Sequence, residues 1–138
     1  MLFRSIFGTI SPGNSPGTLN QTGDQTWEDG GSCEWEIDDT TGWPTDNAGV
    51  DPGWDLINID GSLLLGSLSP GGFTIDIISL DHNAGHSPDV SGNALNFLEL
   101  NPWGSIDYSF EIVRTTGGIS GFDASLFTLN SSAFTNEG

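Results

Sequence analysis

Residues 54–65 read WDLINIDGSLLL, and the fold class turns on this stretch. Trp54, Leu56, Asn58 and Asp60 alternate with Asp55, Ile57 and Ile59, so side chains two apart share a face, as in a β-strand. The run turns at Asp60-Gly61, since glycine tolerates a positive φ, and passes into a second apolar run, Leu63 to Leu65. Upstream, Cys33, Trp35 and Ile37 alternate with Glu34, Glu36 and Asp38, which puts three apolar side chains on one face. Downstream, the turn Ser69-Pro70-Gly71-Gly72 leads to Phe73, Ile75 and Ile77 opposite Thr74, Asp76 and Ile78.

The rest of the chain carries the same signals. Gly17 to Trp27 is a weaker strand region, with Leu19 and Trp27 as its main apolar positions. Gly42 to Gly53, with Pro44, Asp46, Asn47, Gly49, Asp51 and Pro52, must be a loop. A polar loop runs from His82 to Asn96, followed by a short edge segment at Phe97 to Leu100. Ile106, Tyr108, Phe110 and Ile112 predict the strongest strand of all. Phe122 to Ser125 predicts one helical turn, and Phe127 and Leu129 a last strand. Helical spacing is sustained nowhere over as many as about ten residues, so the chain is expected to be nearly all β.

With 138 residues the chain has the length of one domain. The expected organisation is a partial strand or disordered start over 1–10 and a single β-rich domain over 11–138, a piece of a longer exported protein. The net charge of −17, from 19 acidic residues against two basic ones, argues against nucleic acid and anionic lipid as partners, because both require clustered Lys or Arg. The single cysteine, Cys33, cannot form an internal disulfide and is expected to be a buried hydrophobe. Apolar runs are too short to span a bilayer as a helix, so no membrane insertion is expected within this chain. Short strands between glycine-rich turns fit either a β-sandwich or a β-solenoid. The steps from Trp35 to Ile57 to Ile75 approach the length of a solenoid rung but are irregular.

Specific residues add a family resemblance. The segments SPGNSPGTLNQTGDQTW (11–27), CEWEID (33–38), PGWDLINIDGSLLL (52–65), FTIDIISL (73–80) and GGISGFDASLFTLNSSAFTN (117–136) together resemble exported bacterial proteins with autotransporter-associated β-strand repeats, often bearing a PEP-CTERM sorting tail. The resemblance implies a right-handed parallel β-solenoid, and the strand pattern leaves an antiparallel β-sandwich or jelly roll as the alternative. It also implies an extracellular or cell-surface location and a non-enzymatic role as scaffold, stalk or adhesive surface. No catalytic residues come with it. The family usually continues with two more strands and an anchoring tail, so this chain is expected to be a piece that stops before them.

Candidate chemistry can be weighed residue by residue. No cofactor is called for, and calcium is the ion that best fits so acidic a chain, with Asp46, Asp51 and Asp55 as candidate ligands. Their loop lacks EF-hand spacing, and the GGISGFD run at 117–123 carries one extra residue before the third Gly of the calcium-binding GGxGxD pattern and does not repeat, so a solvated acidic surface is the plainer reading. Asp81, His82, His86 and Asp89 are a second candidate set, for a transition metal, against two solvent-exposed histidines. Glu34 and Glu36, ~7 Å apart on one strand face, match a glycosidase pair in spacing, but such carboxyls flank a cleft from separate elements. Trp43 and Trp103, each beside a proline in a loop, are the candidate binding residues for glycan or matrix, whereas Trp35 and Trp54 are expected in the core. Self-association through an exposed strand edge is a further expectation.

Overall fold

The computed structural model describes residues 3–13, 16–82, 89–97 and 108–136. Among these residues twelve strands form in chain order: β1 (Phe3–Ile6), β2 (Thr9–Ile10), β3 (Thr18–Thr22), β4 (Asp24–Trp27), β5 (Ser32–Ile37), β6 (Leu56–Asp60), β7 (Ser62–Leu64), β8 (Phe73–Asp81), β9 (Val90–Ser91), β10 (Val113–Thr115), β11 (Gly118–Ser120) and β12 (Phe127–Ala133). A 3-10 turn at Ala124–Leu126 fulfils the expected helical turn, with the Asp123 carboxylate accepting from the Ser125 N–H. Among the described residues no helix is long and apolar enough to cross a membrane.

The strands divide among three sheets, ordered β1-β4-β7-β11, β10-β6-β3 and β12-β8-β5-β2. Every pairing between named strands is parallel except that of β8 with β9. Like residues therefore stack in register, as in Leu19 beside Ile57 beside Val113. Where the side chains are polar they bond along the stack: Asn58 Nδ2 donates to Asn20 Oδ1 at 2.9 Å, and Asn130 Nδ2 to Asp76 Oδ1 at 2.7 Å.

This arrangement corrects both expected architectures. An antiparallel sandwich or jelly roll is overturned by the parallel registers, which alternation cannot reveal because it marks the buried face and not the neighbouring strand. The expected right-handed solenoid is overturned as well. The three sheets do not close into one, β9 adds antiparallel to β8, and Ile37 and Trp54 form a further antiparallel bridge. The stacking is also uneven: paired residues are 38 apart between β3 and β6 but 56 apart between β6 and the segment following β10. Trp35 pairs with Ile77, while Ile57 lies in another sheet, so the 35-57-75 spacing measured steps between sheets.

The core lies between the sheets and holds Trp27, Cys33, Trp35, Ile37, Trp54, Ile57, Ile59, Leu63 and Phe73. Cys33, Trp35 and Ile37 point inward as their alternation requires, and burial pushes the Cys33 thiol up to about 12, so it stays protonated. At the start of β6 both faces are buried, Asp55 and Leu56 alike, because the 38–53 loop packs over the outer face.

The expected strand at 106–112 does not form in its described part, Tyr108 to Ile112. Its apolar side chains instead wedge against the core, with Phe110 5.0 Å from Trp54 and 5.5 Å from Trp35 between ring centroids. Its backbone bonds are scattered: Glu111 N–H donates to Pro44 O, and the carbonyls of Glu111 and Ile112 accept from Trp54 Nε1 and Ile57 N. Period-two apolarity here reflects packing of an extended segment without a ladder.

Candidate metal centre

Four titratable side chains converge where three segments meet: Asp38 just after β5, Asp51 in the loop before β6, His82 just after β8, and Asp89 just before β9. Backbone bonds explain the convergence. Gly53 N–H donates to Asp38 Oδ1 at 2.6 Å and Gly53 O accepts from Asp38 N at 3.0 Å, which hooks the loop end, and Asp51 with it, onto the end of β5. Leu95 N–H donates to Asp38 O at 2.6 Å, and the antiparallel pairing of Asp81 with Val90 sets His82 and Asp89 side by side.

His82 Nδ1 lies 3.1 Å from Asp38 Oδ2, 3.3 Å from Asp51 Oδ1 and 3.2 Å from Asp89 Oδ2. One ring nitrogen carries at most one proton, and the hydrogen bond is to Asp89. Asp38 Oδ2 is left buried without a hydrogen-bond partner, on a side chain fully removed from solvent. Such a group costs about 1–3 kcal/mol unless something compensates it. Burial pushes the Asp38 carboxyl well above the usual carboxylate range, against the Gly53 hydrogen bond, and Asp89 and Asp51 push it further. The hydrogen bond to Asp89, and the charges of Asp38, Asp89 and Asp51, hold the His82 pKa above its ordinary value.

The candidate residues read from sequence distribute unevenly over this centre. Asp51 from one candidate set and His82 and Asp89 from the other come together, a union neither loop announces alone. Asp46 is exposed and outside the group, and His86 and Trp103 lie outside the described residues. Asp81 and Asp55 are outside it too. Asp38 carries no local signal of a site, because it continues the outward phase of Glu34 and Glu36, and only the loop folding back over it makes it interior.

Asp55 does structural work instead. It is fully buried; its Oδ1 accepts from Gly17 N at 2.7 Å and its Oδ2 from Glu36 N at 3.0 Å, joining the segment before β3 to β5. Burial outweighs these two donors and raises its pKa to about 7. Since an unfolded Asp titrates near ~3.9, the folded chain holds the extra proton between about pH 4 and 7, and stability falls as pH rises through that window. Thermal melts in chelator should show the midpoint dropping from pH 5 to pH 8. Asp55→Asn should shallow that slope while costing about 1–3 kcal/mol, because its NH2 would face a backbone N–H. A parent midpoint that rises over this range would contradict the assignment.

Two further surfaces matter. Trp43 is 42% exposed, with Tyr108 5.2 Å away edge-to-face. A cavity of about 360 Å³, lined by Leu63, Phe110, Ile112, Ile119, Phe127 and Leu129 among others, opens beside the last strands of the three sheets. Glu34 and Glu36 are half-buried on the outer face of β5, paired in register with Asp76 and Ile78. No family model, no curated protein and no solved structure matches the chain.

Proposed function

We propose that the chain is a non-enzymatic structural segment of an exported bacterial surface protein, serving as scaffold or stalk by head-to-tail stacking of its sheets. One observation carries this reading. All three sheets terminate together on β10, β11 and β12, and beside those edges the apolar residues Ile119, Phe122 and Leu129 stand 47%, 67% and 67% exposed. Parallel edges that have no further partner among the described residues, over an open apolar cavity, are a template for further strands, and β1, β2 and β3 offer complementary edges at the opposite ends of the same sheets. A second copy docked end to end makes a heterologous contact, which propagates instead of closing. The resemblance to repeat-bearing exported proteins supports the same reading.

The charge of −17 opposes contact between copies, so association should strengthen with ionic strength. Light scattering over a concentration series is expected to show mass growing with concentration, more steeply at high salt, and Leu129→Asp should suppress it. A monomer independent of concentration and salt would reject stacking. The competing reading, a glycan- or matrix-binding module, rests on exposed Trp43 beside Tyr108. Glycan-array binding that disappears in Trp43→Ala, from a chain that stays monomeric, would transfer the assignment to it.

A further inference from the structure

We propose that Asp38, Asp51, His82 and Asp89 bind one divalent cation of the kind that accepts both carboxylate oxygen and imidazole nitrogen, Mn²⁺ or Zn²⁺. One ligand atom from each residue lies within 4.8 Å of all the others. Two ligands on opposite sides of one ion cannot be farther apart than twice the metal–ligand distance, or ~4–5 Å for distances of about 2.0–2.6 Å. The four atoms therefore fit one coordination sphere, after at most a small contraction for the smaller ions.

The second observation is the stranded oxygen. Asp38 is wholly buried, its Oδ1 is fixed by the Gly53 N–H, and its Oδ2 faces the cluster without a hydrogen bond. Three carboxyl groups face one imidazole nitrogen, and a single divalent ion can take an oxygen from each of them where one N–H can serve only one. On binding, the ion takes the Nδ1 lone pair, any Nδ1 proton leaves to solvent, and Asp38 Oδ2 gains a partner.

Ligand chemistry selects the ion. Ca²⁺ and Mg²⁺ favour shells of oxygen alone, whereas Mn²⁺ accepts carboxylates and Zn²⁺ takes His with Asp in a four-coordinate shell. The four ligands come from the end of β5, the loop before β6 and both ends of the β8–β9 connection. Occupancy would thus clamp the antiparallel β8–β9 addition and the 38–53 loop to the parallel sheets.

The test is calorimetric titration of the chelator-stripped full chain with Mn²⁺, Zn²⁺ and Ca²⁺, in salt high enough to screen the acidic surface. One site per chain is expected, with Mn²⁺ or Zn²⁺ tighter than Ca²⁺, and a thermal midpoint raised by roughly 5–10 °C at a hundred times Kd. His82→Ala and Asp51→Asn alter partly exposed side chains, so a metal-free melt shows whether each variant folds. Each should weaken Mn²⁺ or Zn²⁺ binding by about tenfold or more, and exposed Asp46→Asn should leave it unchanged. No saturable binding, equal affinity for Ca²⁺, or affinity unaltered in folded His82→Ala would each overturn the proposal. Light scattering, repeated in chelator, reads stacking separately, so the two proposals stand or fall independently.

Discussion

Phe73→Ala should cost about 3–5 kcal/mol, a large share of the roughly 5–15 kcal/mol that holds a domain of this size together. Phe73 is fully buried and its ring stacks on Trp27, with centroids 4.2 Å apart and planes 9° from parallel. Phe127, its register partner on β12, meets both rings edge-on at 6.2–6.3 Å. The ring also roofs Gly31, whose position would bring an added Cβ within 2.7 Å of Phe73 Cε2. Truncation removes one ring of a mutually packed trio and leaves a void that the surrounding parallel ladders cannot readily collapse into. Urea denaturation measures the loss. Phe122→Ala, at a ring 67% exposed, should cost under about 1 kcal/mol, and a Phe73→Ala variant equally mild would show that the stack does not hold the sheets together.

The second large effect is expected at a corner. Gly61 sits between β6 and β7 with φ +155°, and an added Cβ would lie 2.6 Å from Gly23 C and 2.7 Å from Gly23 O. These are backbone atoms of the adjacent corner and cannot swing aside as a side-chain tip can. The corners are locked to one another: Gly23 N–H donates to Asp60 O at 2.8 Å and Gly117 N–H to Gly61 O at 2.7 Å, while Ser62 N–H donates to Asp24 Oδ1 at 2.9 Å. Gly61→Ala must part these stacked turns, at a cost of about 2–4 kcal/mol in the same denaturation experiment. Gly66→Ala is the matched comparison, since an added Cβ there meets nothing within 4 Å, and it should be close to neutral. Equal effects at the two glycines would refute the corner argument.

These two positions differ in how far the sequence betrays them. The Asp60-Gly61 corner and the apolar phase of Phe73 are both visible in the chain, because a turn and an alternation are local properties. The partners that make them costly to change, Gly23 and Trp27, lie in other strands. Tyr108 to Ile112 shows the reverse case. Its alternation is clean, yet in the described residues it forms no strand, because its side chains find Trp54, Trp35 and Phe97 before its backbone finds a ladder. Three of the four members of the candidate centre are legible: Asp51, His82 and Asp89 stand in polar loops, whereas Asp38 lies in the outward phase of a strand.

The sequence by itself determined a strand-rich chain with few helical residues, glycine corners, the inward set Cys33, Trp35 and Ile37, and an acidity that disfavours polyanions. Tertiary structure decided that the strands run parallel in three sheets that do not close into a solenoid, and that an outward-phased Asp38 becomes interior beside Asp51, His82 and Asp89. The reason is physical. Alternation encodes which side of a strand avoids water, a property of neighbours along the chain. Pairing direction and clustered charge depend on groups tens of residues apart, and those are fixed only when backbone bonds such as Gly53 to Asp38 close the loops between them.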